Sequence, residues 1–199
     1  MATYIQIGSN RGKDWFQNLI TNLPTSNNYI HLIEPNSQLL QELKANYSSV
    51  QNQNIKIHNI AITPHKQRSA SLYTHGNPDH ASLIQRKSHN VGGDIIECKC
   101  LTLNQFFKKN KIVEVDLLLL DCEGLDVEIL KNTNLSLANI KSIVYEHWPY
   151  ENDDANNRYQ TGPTLSNNLI QDMLSQGYTC ESVLIDGQPN IKLTKLINL

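Results

Sequence analysis

Short apolar runs alternate along this chain with segments of helical length. The runs lie at residues 4–7 (YIQI), 29–33 (YIHLI), 55–62 (IKIHNIAI), 115–120 (VDLLLL) and 140–146 (IKSIVYE). Segments of helical length occupy residues 14–23, 37–47 and 103–110. This alternation is typical of βαβ units, so it predicts a largely parallel sheet with helices on its faces.

The pattern changes near the C-terminus. A helix-like segment at residues 165–175 ends at Gly177 and is followed by two strand-like runs at residues 178–185 and 191–197. The Asp-Gly pair at residues 186–187 is a common hairpin turn. These features predict an antiparallel hairpin at the end of the sheet.

The run of leucines at residues 117–120 is too short to cross a membrane and too continuous for a half-exposed strand. It predicts a central strand that is covered on both faces. Asp121 and Glu123 follow this strand directly. Because ligands of open α/β sheets bind outside the carboxyl ends of the strands, both acids are candidate site residues. The alternative is that they only hold the turn at Gly124 through backbone hydrogen bonds.

Composition narrows the class of protein. A chain of 199 residues with 39% hydrophobic content fits one domain with a full core. The net charge of −2 makes nucleic acid an unlikely partner. No apolar run approaches the roughly 18 residues of a membrane span, and strand-like sequence begins at Tyr4, so we expect a cytoplasmic protein. The cysteines have no CxxC spacing, which gives no indication of a zinc or redox site.

The first strand leads into a turn bracketed by Gly8 and Gly12. Glycines there let the backbone approach a ligand, and the amides at a following helix start favour a negatively charged group. A dinucleotide fingerprint would need glycines at positions 10 and 13, where the chain has Asn10 and Lys13. NAD is therefore disfavoured, and a simple tight connection remains possible.

Glu34 follows the second strand, about 20 residues beyond the glycine turn, which is the spacing of a ribose-binding acid. Pro35 ends the strand. A carboxylate at this position can accept hydrogen bonds from both ribose hydroxyls. The alternative is an ordinary surface glutamate before a turn.

Six segments, IQIGSNRG, IEPN, NIAIT, LTLNQFF, LLLLDCEGLDVEIL and IVYEH, resemble FkbM-type S-adenosylmethionine-dependent methyltransferases, in this order and over residues 4–147. The most specific part is the pattern D-x-E-G-x-[DE]-x-x-[IV]-L, which is met by Asp121, Glu123, Gly124, Asp126, Ile129 and Leu130. The resemblance implies a single methyltransferase domain over residues 1–199 with the Rossmann-like class I methyltransferase fold. That fold is an α/β structure whose seven-stranded, mostly parallel sheet has the strand order 3-2-1-4-5-7-6, an antiparallel C-terminal hairpin and helices on both faces.

The resemblance also implies a binding site for S-adenosylmethionine. The residues expected to bind it are Gly8, Ser9, Asn10 and Gly12 in the turn, Glu34 and Pro35 at the ribose, Asn59, Ala61 and Ile62 near the adenine, and Gln6 and Asp121 at the strand ends. Gln6 departs from the family pattern, which has Asp at this position. An amide oxygen can accept a hydrogen bond from the methionine ammonium, but with less charge assistance.

The resemblance points to methylation of a hydroxyl on a sugar or small metabolite, so the expected partner is a small-molecule or glycan acceptor. Asp121, Glu123 and His147 are the candidate catalytic residues, and Glu146 adjoins them. These residues could supply a base that removes the proton of the hydroxyl, or Asp121 and Glu123 could supply oxygen ligands for a divalent metal. The metal-free site is favoured, because two carboxylates make an incomplete set of metal ligands.

Two polar segments, residues 63–93 and 149–162, are expected to form the acceptor side, although they have the composition of plain solvated loops. Two other functions remain open. One is a protein of the same fold that binds the cofactor without turnover, which the neutral Gln6 favours. The other is an NAD-linked oxidoreductase.

Overall fold

The computed structural model describes residues 1–24, 27–51, 53–74, 76–85, 93–147 and 163–196. The strands are β1 (Thr3–Ile7), β2 (Tyr29–Ile33), β3 (Asn54–His58), β4 (Ala61–Ile62), β5 (Ser69–Tyr73), β6 (Ile95–Leu101), β7 (Glu114–Val115), β8 (Leu117–Leu120), β9 (Asn139–Ile140), β10 (Ser142–Glu146), β11 (Tyr178–Ile185) and β12 (Gln188–Lys195). The α-helices are α1 (Trp15–Thr21), α2 (Leu40–Tyr47), α3 (Leu103–Asn110), α4 (Asp126–Lys131) and α5 (Pro163–Ser175), and Pro78–His80 and Leu135–Leu137 form short 3-10 helices. None of the helices in these ranges is long and apolar enough to cross a membrane.

The main sheet has seven strands in the order β11-β12-β10-β8-β1-β2-β3. Strand β12 is antiparallel to both of its neighbours, and the other adjacent pairs are parallel. Read from β3, this is the order 3-2-1-4-5-7-6 that the family resemblance implies. The predicted fold class, including the antiparallel C-terminal hairpin, is confirmed.

The leucine strand β8 is covered on both faces, as its continuous apolar run predicts. Leu118 and Leu120 pack in a core with residues of α3, α4 and α5. Leu117 and Leu119 pack on the opposite face with residues of α1 and α2. Because successive side chains of a strand point to opposite faces, burial of all four requires helices on both sides of the sheet.

Residues 63–93 differ from the loop that their polar composition predicts. They include β5, which pairs antiparallel with β6, and β6 also pairs with β4 to make a small second sheet. The predicted strand at residues 55–62 is consequently divided, because β3 remains in the main sheet while Ala61 and Ile62 pair with β6. The other polar segment, residues 149–162, lies outside the described residues.

Candidate functional site

A cleft opens at the carboxyl ends of β1, β2 and β8, and we call it the strand-end cleft. Its lining comes from the loops after these strands, from β4 and β5, and from the segment around the first 3-10 helix. The lining residues are Ile7, Gly8, Asn10, Glu34, Pro35, Leu39, Ala61, Ile62, Leu72, Pro78, Asp79, Ala81, Leu83, Asp121, Cys122, Glu123 and Leu125. The cleft therefore contains residues from all three motifs that the sequence singles out.

The turn after β1 packs directly on the end of β8, and this contact requires glycine. Gly8 has φ +82°, and a Cβ atom at this position would lie 1.9 Å from the backbone oxygen of Asp121. The amides of Gly8 and Ser9 both donate to the carbonyl oxygen of Ile33, at 2.9 and 3.0 Å. These bonds hold the glycine turn against the end of β2, while Gly8 packs on the residue that follows β8, so the three strand ends meet at this turn.

Glu34 lies beside the glycine turn, as its spacing predicts. It is 5% exposed, and its two carboxylate oxygens accept the backbone N–H groups of Asn10 and Asn36, both at 2.7 Å. Burial raises the pKa of Glu34 to about 7, although the two amides oppose this change. Each oxygen retains a lone pair, so the carboxylate can still accept hydrogen bonds from a ligand.

The wall beyond Glu34 is apolar. Ala61 and Ile62 are each 3% exposed and line the cleft together with Leu72. Among the described residues, the lining of the strand-end cleft does not include Asn59. The side-chain amide of Asn59 instead donates to the carbonyl oxygens of Glu34 and Pro35, at 2.9 and 3.0 Å. Asn59 thus braces the turn that carries the acid.

Part of the polar segment 63–93, which the sequence predicts on the acceptor side, lines the strand-end cleft. Residues 77–82, which we call the bridging segment, contact the loops after β1 and β8. Asp79 accepts hydrogen bonds from Arg11 Nε at 2.7 Å and, through its carbonyl, from Asn10 Nδ2 at 2.9 Å. Ser82 Oγ donates to the carbonyl oxygen of Glu123 at 3.0 Å. The bridging segment thus holds the glycine turn and the β8 loop together.

A second pocket lies on the α1 side of the sheet, and we call it the acidic pocket. It is lined by Gln6, Asp14, Trp15, Phe16, Leu119, Asp121, Glu146, Ile185, Asp186, Gln188 and Asn190. Strand alternation explains this set, because Gln6, Leu119 and Glu146 point to the same face of neighbouring strands. Asp121 lines both this pocket and the strand-end cleft.

Asp121 is a carboxyl group with a raised pKa at the meeting point of the two pockets. The residue is exposed to solvent, and protein atoms of both pockets surround it. Enclosure by protein raises its pKa well above the usual range, and the neighbouring charges of Glu146 and Glu123 raise it further. The result is a carboxylate that binds a proton more readily than an ordinary aspartate.

The other candidate catalytic residues lie in different places. Glu123 lines the strand-end cleft and lies 3.3 Å from the ring of His80, measured from Oε1 to Nδ1. His147 points to the opposite face, where its Nδ1 lies 3.0 Å from Ser166 Oγ. Among the described residues, the linings of the two pockets do not include His147. The structure therefore brings Asp121, Glu123 and Glu146 together but sets His147 apart.

Asp126 has a structural role at the turn after β8. It is 3% exposed, and its Oδ1 accepts the Cys122 N–H at 3.0 Å. Burial raises the pKa of Asp126 to about 7. Its carboxylate therefore ties the start of α4 to the turn that carries Glu123. Within the described ranges, no group of three or more His, Cys, Asp or Glu side chains is arranged to hold a metal ion.

Comparison with known proteins gives a family match and several structural matches. The model of the methyltransferase FkbM domain matches residues 6–180. A candidate rRNA methylase from Clostridium thermocellum superposes with a TM-score of 0.55 at 8% identity, covering 98% of this chain and 87% of that chain. A candidate methyltransferase from Streptococcus mutans, solved in complex with SAH, gives 0.53 at 9% identity, covering 98% and 89%.

Fibrillarin from Aeropyrum pernix, solved with natively bound S-adenosylmethionine, superposes with a TM-score of 0.51 at 9% identity. The match covers 97% of this chain but only 66% of fibrillarin. Among curated proteins, no sequence matches this chain. At such low identities, the structural matches establish a shared fold and nothing about substrates.

Proposed function

Because this chain belongs to the FkbM family of methyltransferase domains, we propose that it transfers a methyl group from S-adenosylmethionine to a hydroxyl of a sugar or another small metabolite. One observation carries this proposal. The strand-end cleft and the acidic pocket meet at Asp121, so a donor in one and an acceptor in the other would adjoin the same carboxylate. S-adenosylmethionine supplies, when bound, a methyl group on a positively charged sulfur.

The strand-end cleft has the chemical groups that an adenosine requires. Glu34 is a buried acceptor for ribose hydroxyls, and Ala61 and Ile62 form an apolar wall of the kind on which a purine packs. Asn10 Oδ1 is buried without a hydrogen-bond partner. Since leaving such an atom unpaired costs about 1 to 3 kcal/mol, this oxygen favours a ligand with a hydrogen-bond donor.

The same loop argues against NAD. The second glycine of a dinucleotide fingerprint lets the backbone approach the pyrophosphate closely. Here that position is Asn10, which has φ +46° and directs its side-chain amide to the carbonyl oxygen of Asp79. Asp121 and Glu146 would also repel a pyrophosphate near this edge of the sheet. An NAD-linked oxidoreductase is therefore disfavoured.

The acidic pocket supports a hydroxyl-bearing acceptor over a nucleic acid. Gln188, Asn190 and the carboxylates offer many hydrogen-bond acceptors, and Trp15 offers an aromatic surface. The acids would repel a phosphate backbone, because like charges facing each other oppose association. An RNA substrate is therefore disfavoured, although the fold resembles that of a candidate rRNA methylase.

Asp121 is the proposed general base. A hydroxyl nucleophile must lose its proton, and a carboxylate whose pKa is raised accepts that proton more readily than an ordinary aspartate. Glu123 and Glu146 lie near enough to raise this pKa, so they tune the base. His147 would have to act from the opposite face of the sheet, which makes it the weaker candidate.

Labelled methyl transfer to acceptors in a cell extract tests this function. With wild-type protein we expect label in small molecules, in the presence or absence of a chelator. Asp121→Asn should reduce turnover by about 10²- to 10⁴-fold, the usual contribution of a general base, while affinity for S-adenosylhomocysteine stays within a few-fold. Asp172→Asn, on an exposed face of α5, is the matched control and should behave as wild type.

The other outcomes are equally informative. Cofactor binding without any labelled acceptor would favour the binding protein that lacks turnover. Loss of turnover with chelator and its return with added Mg²⁺ would favour a metal held by Asp121 and Glu123. An Asp121→Asn protein with the full wild-type rate would remove Asp121 from catalysis.

A further inference from the structure

A third pocket lies beside the strand-end cleft, and we call it the neutral pocket. Its cavity volume is about 370 Å³, which falls in the range of about 300 to 1,000 Å³ that small-molecule sites occupy. Most of its lining comes from the polar segment that the sequence predicts on the acceptor side. The lining residues are Thr63, Pro64, His65, Gln67, Ala70, Ser71, Tyr73, Leu83 and Leu125. The last two also line the strand-end cleft, so the two cavities adjoin.

Hydrogen bonds hold the walls of the neutral pocket in place. The backbone of Tyr73 exchanges two of them with that of Ser82 in the bridging segment, at 2.9 and 3.0 Å. The Thr63 N–H donates to the carbonyl oxygen of Leu101 at 3.0 Å, and Thr63 Oγ1 donates to the carbonyl oxygen of His65 at 2.9 Å. Because these bonds fix β5 and the turn after β4, little order has to be created when a ligand binds.

Strand β5 separates the neutral pocket from the strand-end cleft. Leu72 is 1% exposed and lines the cleft, whereas Ser71 and Tyr73 on either side of it line the neutral pocket. This division follows from the alternation of side chains along a strand. A ligand in the neutral pocket therefore does not compete with an adenosine in the cleft.

The lining of the neutral pocket favours an uncharged ligand with many hydroxyls. Among the residues that the structure describes, this lining contains no Lys, Arg, Asp or Glu, so a charged ligand group would find no opposite charge there. Gln67, His65 and Ser71 are exposed and supply both hydrogen-bond donors and acceptors. Tyr73 and Leu125 are half-buried and supply aromatic and apolar surface. A sugar ring has hydroxyls that donate and accept, and it has apolar C–H faces.

The loop after β8 connects the neutral pocket to the proposed base. Asp121, at one end of this loop, lines the acidic pocket, and Leu125, at the other end, lines the neutral pocket. Four residues of extended chain span at most about 14 Å. The left-handed φ values of Glu123 (+52°) and Gly124 (+111°) turn the loop and shorten this distance. A short oligosaccharide is therefore long enough to reach from Asp121 to the neutral pocket.

We propose that the neutral pocket binds an uncharged sugar unit of the acceptor, at a distance from the unit that is methylated beside Asp121. The acceptor is then an oligosaccharide rather than a single sugar. Tyr73 packs on the apolar face of the bound ring, while Gln67 and Ser71 exchange hydrogen bonds with its hydroxyls. This inference rests on the proposed function, because it requires that the methylated group is a sugar hydroxyl.

A panel of neutral monosaccharides, and of the di- and trisaccharides built from them, tests this inference by labelled methyl transfer. Wild-type protein should methylate an oligosaccharide with a kcat/KM about tenfold above that of its single sugar. Tyr73→Ala should remove this preference by lowering kcat/KM for the oligosaccharide alone, because it removes the aromatic surface. Tyr29→Ala is the matched control, since Tyr29 is 41% exposed and lies outside the described linings of all three pockets.

Saturation-transfer NMR with the same saccharides, in the presence of S-adenosylhomocysteine, gives a readout that needs no turnover. The sugar unit that is not methylated should receive saturation from wild-type protein and lose it with Tyr73→Ala or Gln67→Ala. A thermal melt should show that each variant is folded. The affinity of each variant for S-adenosylhomocysteine should stay within twofold of wild type, because the cofactor occupies the other side of β5.

The remaining outcomes separate this inference from the proposed function. Equal kcat/KM values for single sugars and oligosaccharides, or a preference that survives Tyr73→Ala, would overturn the sugar subsite and leave the proposed function intact. Label found only in a metabolite that is not a sugar would have the same meaning. A wild-type protein that labels no small molecule or saccharide would overturn the proposed function together with the subsite.

Discussion

Replacement of Glu34 by Gln perturbs the strand-end cleft at its most constrained acid. The two oxygens of Glu34 accept the Asn10 and Asn36 amides, and Gln has only one oxygen to offer. One backbone N–H therefore loses its acceptor, and a ribose loses the charged partner for its hydroxyls. We choose Gln because it keeps the volume of a residue that is 5% exposed, whereas Ala would leave a cavity.

The size of the effect follows from the charge on the acceptor. A hydrogen bond to a charged group contributes about 1.5 to 3 kcal/mol, so Glu34→Gln should weaken the binding of adenosine-containing ligands by about 10- to 150-fold. Because the pKa of Glu34 is raised to about 7, the wild-type protein should also bind more tightly as pH rises from 6 to 8. The ionised fraction grows by about tenfold over this interval, which sets the upper limit of the change.

Isothermal calorimetry with 5′-methylthioadenosine at several pH values measures both effects, because this ligand contacts only the adenosine part of the site. The affinity of wild-type protein should rise with pH, and that of Glu34→Gln should be low and constant. A thermal melt of each protein would show that the variant is folded. If Glu34→Gln binds within twofold of wild type and with the same pH dependence, Glu34 is not the ribose acid.

Two further predictions concern stability. In chemical denaturation, Gly8→Ala should lower the free energy of unfolding by more than about 2 kcal/mol, because the new Cβ would lie 1.9 Å from the Asp121 carbonyl oxygen. The control is Gly187→Ala, which has a similar φ but no atom within 4 Å of the new Cβ, and it should cost only about 1 kcal/mol. Equal costs would contradict the close packing of the glycine turn. Asp126 has its pKa raised to about 7, so its contribution to stability is greatest below its ordinary pKa and declines as pH rises towards 7. Asp126→Asn keeps an oxygen for the Cys122 N–H but cannot titrate, so its free energy of unfolding should lack this decline. Measured against wild type, the free energy of unfolding of the variant should increase by about 2 kcal/mol from pH 5 to 8. A difference that stays constant with pH would refute the raised pKa of Asp126.

The strand order followed only from the family resemblance, whereas the buried central strand and the position of Glu34 could be predicted from the sequence for a physical reason. Apolar runs report directly on which strands are buried, and the leucines at 117–120 require covering helices on both faces. The acid at the end of β2 meets the glycine turn because parallel neighbours end at the same edge. Short-range patterns were sufficient for both features.

Other features depend on contacts between distant segments. Strand β5 (SASLY) has few apolar residues, and its pairing with β6 becomes visible only in three dimensions. The bridging segment is held by side chains of distant loops, such as Arg11, which no local pattern marks. The orientation of His147 could have been predicted from the sequence. Side chains alternate along β10, so Glu146 lies on the same face of the sheet as Asp121 and His147 lies on the opposite face.

Calorimetric titration of the full chain with S-adenosylmethionine and with NAD⁺, side by side, tests the central claim most directly. We expect S-adenosylmethionine to bind at one site, formed by the glycine turn, Glu34 and the apolar wall, and 5′-methylthioadenosine to displace it. We expect no binding of NAD⁺. Binding of NAD⁺ without binding of S-adenosylmethionine would contradict the assignment of the strand-end cleft and the proposed function with it.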